Sequence, residues 1–333
     1  MSALRNGSIV FGASGVSGSA IVRELSKKSE GNPAVPITAV SRSGSIPSLA
    51  DLPGVSCKAG DALDEKKTLE LCLGCGVIYC AIGLPYISAT WERDFPVVVE
   101  SMLKAAEATG AVLVWVDNLY MFGPEAAESG IPMKESSRDF TEYGRKPALR
   151  ARLDNTMLDA ASSGRCKVAI VRASDFYGPG VRKATLGEVF VPRIVKGSRP
   201  IVFFDPTVRH TYTYVPDLAR ATIAVAEAGE SAWGRAWHCP NAPATATDEI
   251  ARQMATICGH GKPHKPIVIK GIVRWLMSQF AASLREMPEM SFVWDKDYLV
   301  DHSDFSAKFP DVTPTPLDKG LRETVEWWRA QEE

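Results

Sequence analysis

Apolar residues in the first half of the chain come in short blocks at residues 8–13, 37–40, 55–58, 77–81, 111–116 and 168–171, and each block reads as a strand. Between them, helical spacing runs over 16–27, 66–73, 91–109 and 150–162; in the first of these Ala20, Ile21 and Leu25 share one face. The run at 111–116 is nearly unbroken, as expected for a strand covered on both faces. Strands alternating with helices at this spacing predict an α/β fold with a doubly wound parallel sheet and right-handed crossovers. Beyond residue 180 the rhythm changes. Helical patterns at 217–228, 248–258 and 272–285 are separated by loops containing Pro and Gly, and Pro314 and Pro316 precede a last helix at 317–329. The chain is therefore expected to divide into a strand–helix part, 1–180, to which later segments return, and a smaller lobe, 181–333.

The first strand runs into Gly12-Ala13-Ser14-Gly15-Val16-Ser17-Gly18, with glycines three apart. A strand, a tight turn and a helix N-terminus in that order form a site for a dinucleotide. Gly12 permits the turn, Gly15 lets backbone N–H groups approach a pyrophosphate, and Gly18 lets the helix pack close to the strand. Ser14 and Val16 lie in the same loop.

Composition narrows the partners. Lys and Arg (38) nearly balance Asp and Glu (39), and no basic block stands out, so nucleic acid is not expected as a partner. No apolar run approaches the ~20 residues of a membrane helix, and the first strand leaves no room for a signal peptide. Membrane is thus not an expected partner, and a small-molecule ligand is. Seven cysteines without framework spacing read as reduced thiols in a cytosolic protein. His260, His264 and Cys258 make too sparse a set for a metal, so none is expected.

The turn after the second strand selects the nucleotide. It reads Ser41-Arg42-Ser43 and holds no carboxylate. A carboxylate there would suit the 2′-hydroxyl of NAD; an arginine beside small hydroxyls suits the 2′-phosphate of NADP, so NADP(H) is the expected cofactor. Asp61 and Ala62, after the third strand, should lie by the adenine. Ala81, Ile82 and Gly83, after the fourth, should line the adenosine ribose.

With these residues the chain resembles the short-chain dehydrogenases/reductases, and within them the extended, epimerase/dehydratase-like branch with its Rossmann fold. Three further segments carry the resemblance: residues 168–180, ending in Tyr177-Gly178-Pro179-Gly180; residues 211–217, with Tyr214-Val215-Pro216-Asp217; and residues 116–124, ending in Gly123-Pro124. The resemblance implies Ala173 as a further cofactor contact and a monomer or homodimer. It also implies chemistry by a Ser or Thr with a Tyr-x-x-x-Lys pair, whose lysine lowers the tyrosine pKa. Here the sequence departs from the pattern. Lys146 stands at the lysine position, but Glu142 occupies the tyrosine position and Tyr143 is one residue off; Asn118 falls on the Ser/Thr. The resemblance then suggests a relocated acid. Tyr120 donates the proton, Asn118 helps hold the substrate oxygen, Lys146 binds the nicotinamide ribose, and Tyr143 is the second candidate acid. Met121, Phe122, Asp175, Phe176, Tyr177 and Tyr212 are expected to contact substrate. The expected activity is NADP(H)-dependent reduction of a carbonyl or enone in a small, apolar molecule. A non-redox isomerase, dehydratase or cyclase, and a non-catalytic NADP-binding regulator, are the rivals.

Overall fold

The computed structural model describes residues 6–29, 35–260, 265–279 and 285–331. In chain order the elements are β1 Ser8–Phe11, α1 Val16–Ser29, β2 Ile37–Ser41, α2 Pro47–Ala50, β3 Val55–Ala59, α3 Glu65–Cys72, β4 Val77–Cys80, α4 Ser88–Thr109, β5 Val112–Asp117, α5 Gly123–Ser129, α6 Lys146–Ser162, β6 Lys167–Arg172 and β7 Asp175–Tyr177. There follow α7 Val191–Val195, β8 Ile201–Val202, β9 Arg209–His210, β10 Tyr212–Tyr214, α8 Val215–Glu227, β11 Ala236–His238, β12 Thr245–Ala246, α9 Thr247–Ile257, β13 Ile267–Val268, α10 Gly271–Ser278, α11 Ser303–Lys308 and α12 Leu317–Arg329.

Seven strands form one sheet in the order β11-β6-β5-β4-β1-β2-β3, and every pair in it is parallel. Alternation along each central strand sends side chains to opposite faces. Val10, Val77, Tyr79, Val114 and Val171 join the core under α1 and α8. Ile9, Phe11, Ile78, Leu113 and Ile170 join the core under α4 and α6. Both faces are covered, which is why these strands read as continuous apolar runs. The strand order reverses between β1 and β4, so a crevice opens beyond their C-terminal ends, where ligands bind in folds of this kind. A separate core gathers α7, α9 and α12 around Phe190, Ile194, Met254, Leu321 and Trp328.

Two elements differ from the sequence reading. The edge strand β11 is three residues long and carries no periodic signal; it pairs with β6 and so draws the chain back to the sheet after residue 180. α6 starts at Lys146 rather than at 150, because Pro147 sits in its first turn, where a missing N–H costs no helix bond.

A buried carboxylate ties the loop before α6 to the far edge. Glu135 accepts hydrogen bonds from the backbone N–H groups of His238 (2.9 Å) and Phe305 (3.1 Å). Burial pushes its carboxyl up to about 7, against the pull of those N–H donors. A folded-state value above the unfolded one means that the stability gained is fully present below the unfolded pKa and is lost as pH rises through about 7. Glu135→Gln keeps an acceptor and removes the titration. Between pH 5 and 8, wild type should lose about 2 kcal/mol relative to Glu135→Gln in urea unfolding. Parallel profiles for the two proteins would contradict this assignment.

Candidate active site

The glycine loop is built as its spacing requires. Gly12 has φ +77°, and a Cβ there would lie 2.5 Å from the Ala81 carbonyl oxygen. A Cβ at Gly18 would lie 2.3 Å from the Gly12 oxygen, so α1 can approach β1 only with glycine at this position. Ser14 and Gly15 are exposed at the start of α1, beside half-buried Val16. Across the crevice, Ala81 and Ile82 are half-buried, and Gly83 is exposed with open space where a Cβ would point.

After β2, the Ser41 hydroxyl accepts from Gly44 N–H (3.1 Å) and fixes the turn. Ser41 itself is buried, which leaves Arg42 and Ser43 as the exposed members. Asp61 closes its own turn by accepting from Leu63 N–H (3.0 Å), while Asp64 caps α3. Ala62 and Ala173 are buried. The exposed edge formed by Ser14, Gly15, Arg42, Ser43 and Gly83 fits a dinucleotide laid across the switch point.

Beyond β5 the chain turns sharply. Asn118 Oδ1 accepts from the Tyr120 N–H (3.0 Å), so the Asn118 oxygen serves the backbone. This turn brings Tyr120 beside Tyr86, which comes from the loop after β4, and each phenol influences the ionisation of the other. Trp91 supports both: Tyr120 stacks on it (6.4 Å, 13°) and Tyr86 meets it edge-on (5.4 Å, 83°). Burial raises the Tyr120 phenol, and the Asp175 carboxylate adds to that rise. Both phenols are neutral proton carriers at neutral pH.

A second group faces them. His210 lies between the rings of Trp294 (4.8 Å, 10°) and Tyr298 (5.3 Å, 13°), and its Nδ1 is 3.1 Å from the Val293 carbonyl. Its Nε2 is 2.9 Å from Asp175 Oδ2, yet the two are out of line for a hydrogen bond. Both atoms are buried and lack a partner, as are Trp91 Nε1 and Arg150 Nε. Asp175 Oδ2 and His210 Nε2 lie within ion-pair distance of each other, whereas Trp91 Nε1 and Arg150 Nε, on the Trp91 side of the tyrosine pair, are left for a polar ligand.

Beneath the site lies a network of charges. Arg150 pairs with Asp117 (2.9 Å) and lies over the ring of Phe95 (3.9 Å). Arg172 pairs with Asp154 (2.5 Å), and both side chains are fully buried. Asp117 also accepts from Trp115 Nε1 (3.0 Å), so the end of β5 is held from two sides.

A model of the NAD dependent epimerase/dehydratase family matches residues 8–238, from β1 through β11. The chain belongs to this family. Among solved structures it is similar to the UDP-glucuronic acid 4-epimerase from Bacillus cereus in complex with NAD, at 17% identity over 98% of this chain and 100% of that one, TM-score 0.76. It is also similar to the UDP-N-acetylglucosamine 4-epimerase from Methanobrevibacter ruminantium M1, at 15% identity over 98% and 99%, TM-score 0.73. WbmH from Bordetella bronchiseptica, in complex with NAD+, aligns at 18% identity over 97% and 98%, TM-score 0.71. At these identities the likeness establishes the fold. No curated protein matches the sequence.

This family member departs from several residue expectations. Lys146, expected at the nicotinamide ribose, is fully buried and donates to the Ser88 hydroxyl (2.9 Å) and to the Glu286 carboxylate. Its ammonium lies 4.6 Å from the Tyr86 ring centroid and 3.5 Å from Glu289. Although burial opposes it, bonds from Lys146 and Ser88 hold the Glu286 carboxyl below the usual range. Tyr143 is 42% exposed and meets Phe292 edge-on (6.0 Å), with glycine next to it and α6 starting three residues later.

Of the expected substrate contacts, Asp175 is the charged one, and it raises both tyrosines; Tyr86 and Tyr120 also pack against the core that holds Met121 and Phe122. Met121 and Phe122 are packed in a core with Leu119 and Met290. Phe176 packs against the core under α1 and α8. Tyr177 is buried against Tyr214 and Gly320, and Tyr212 is buried with its hydroxyl bonded to Thr247 (2.7 Å). In each case an aromatic or apolar side chain filled an interior.

Tyr86 and Glu286 were not singled out from the sequence. A tyrosine six residues past β4 was the one available signal for Tyr86. His260 bonds the Ile194 carbonyl (2.8 Å), His264 lies outside the described residues, and no set of three His, Cys, Asp or Glu gathers for a metal among the described residues. None of the seven cysteines is in a disulfide.

Proposed function

We propose that the chain is an NADP(H)-dependent oxidoreductase that reduces a carbonyl or enone of a small, apolar organic molecule. The observation that carries this reading is the neutral Tyr86–Tyr120 pair at the sheet's C-terminal edge, with Asp175 and His210 beside it and Lys146 paired elsewhere. A nicotinamide dinucleotide laid across Gly15, Arg42, Ser43 and Gly83 would supply hydride from the C4 of its nicotinamide. Tyr120 donates its proton to the substrate oxygen. A ketone reduced at carbon leaves an alkoxide, a stronger base than even a raised phenol, so the transfer runs downhill. An enone leaves an enolate, whose oxygen the same hydroxyl holds by a hydrogen bond. Tyr86 lies beside the donor, and Asp175 and His210 offer a carboxylate oxygen and a ring nitrogen to a polar group of the substrate. Ionised tyrosine, the base that alcohol oxidation needs, is disfavoured by burial and by Asp175.

Solved relatives that hold UDP-sugars and NAD favour a second reading, a nucleotide-sugar epimerase. Glu142, exposed where the family places tyrosine, weighs against it.

Nucleotide choice follows from Arg42 and Ser43. A charge-assisted bond to the 2′-phosphate is worth roughly 1.5–3 kcal/mol, about 10- to 100-fold in affinity. NADPH should therefore bind at least about 10-fold tighter than NADH in a fluorescence titration. Arg42→Ala should remove that preference and leave NADH affinity unchanged. Equal affinities in wild type would assign the site to NAD(H) instead.

A further inference from the structure

Two segments of the chain carry cations and no acids. Residues 189–204 and 250–285 hold nine of the 38 Lys and Arg and none of the 39 Asp and Glu, in a chain of net charge −1. The fold brings them together, because β8 of the first pairs with β13 of the second. Arg199 Nε donates to the Lys265 carbonyl (2.8 Å) and Arg193 Nε to the Arg199 carbonyl (2.7 Å), which stitches the cationic edge. Lys196, Arg199, Lys265 and Lys270 are exposed there. Among the described residues the acidic neighbours are Glu249, which pairs with Arg252 (2.6 Å), and Asp205, whose carboxyl is held below the usual range by its bonds to Thr207 and then by Lys270.

Beside this edge the protein shows apolar surface. Ile267 and Val268 of β13 are exposed, and α10 follows with Ile272 at 73%, Val273 at 52%, Trp275 at 59% and Leu276 at 51% exposure. Scattered exposed apolar residues are ordinary; a contiguous group within one short stretch marks an interaction site. No described helix is long and apolar enough to cross a membrane, so this face would lie on a surface, not span it.

We infer that the face formed by β13 and α10 docks on a bilayer surface bearing anionic lipid. The apolar side chains enter the boundary between headgroups and acyl chains, and the flanking lysines and arginines meet the negative headgroups. A second copy of the chain fits less well, since a two-fold contact would set the same cationic edge against itself. This inference runs counter to the expectation that membrane is not a partner.

The test is sedimentation of the full chain with vesicles of phosphatidylcholine, with or without about a third phosphatidylserine. Binding should need the anionic lipid and weaken as salt is raised. Ile272→Glu/Leu276→Glu alters exposed apolar positions, and Lys265→Glu/Lys270→Glu reverses exposed charges. Each should lower partitioning at least about 30-fold, given ~1 kcal/mol per surface cation, while thermal unfolding stays as in wild type. No binding to the anionic vesicles, equal binding to both kinds, or binding retained in both variants would overturn the inference. So would concentration-dependent dimers in sedimentation equilibrium, lost in Ile272→Glu/Leu276→Glu, without vesicle binding; that result assigns the face to self-association.

Discussion

Asp154→Ala should cost about 3–5 kcal/mol of stability, because it leaves the Arg172 guanidinium buried without its counter-ion. Arg172 donates to Asp154 through Nε (2.9 Å) and a terminal nitrogen (2.5 Å). Its remaining neighbours cannot take over. The guanidinium lies over Phe122 (5.3 Å) and Phe140 (5.2 Å), and His238 nearby is kept neutral by burial and by Arg172 itself. Burial raises the Asp154 carboxyl, Arg172 pulls it back, and the neighbouring Asp117 charge raises it further, so the pair depends on both members. A buried ion pair is expensive to break and often cheap to replace. The double variant Asp154→Leu/Arg172→Met should therefore recover most of the loss. The urea midpoint reads both effects. A single variant within about 1 kcal/mol of wild type would show that water reaches Arg172.

Tyr120→Phe should lower kcat by ~10²-fold or more and leave nucleotide affinity unchanged. The phenylalanine keeps the stack on Trp91 and removes only the hydroxyl, so the loss reports proton transfer rather than packing. Tyr143→Phe serves as the comparison. Its ring is exposed and packs on Phe292, and its rate should stay within about two-fold of wild type. If Tyr143→Phe were the slower enzyme, the donor would move to the loop before α6.

The nucleotide half of the fold was legible because its signals are local. Gly12 and Gly18 are fixed by contacts to β4 and to their own loop, and the strands are apolar runs covered on both faces. β11 was not legible: its three residues owe their conformation to pairing with β6. The surroundings of the candidate site were partly legible. Tyr120 could be placed by its offset from Gly123, and Asp175 by its segment. Met121, Phe122 and Tyr177 could not be told from pocket residues, since an apolar side chain in a loop fits core and cavity alike. Lys146 stood in the family position, but its partner Glu286 lies 140 residues further along, and no pattern in sequence links them. Tyr86 reaches Tyr120 only through the path of the loop after β4.

The most direct measurement is transfer of deuterium from the nicotinamide C4 of labelled NADPH, run by wild type and Tyr120→Phe against apolar aldehydes, ketones and enones. The account predicts one deuterium in the reduced product per NADPH consumed, at a rate ~10²-fold lower in the variant. Product formed with no net oxidation of NADPH would contradict it and give the site to isomerisation.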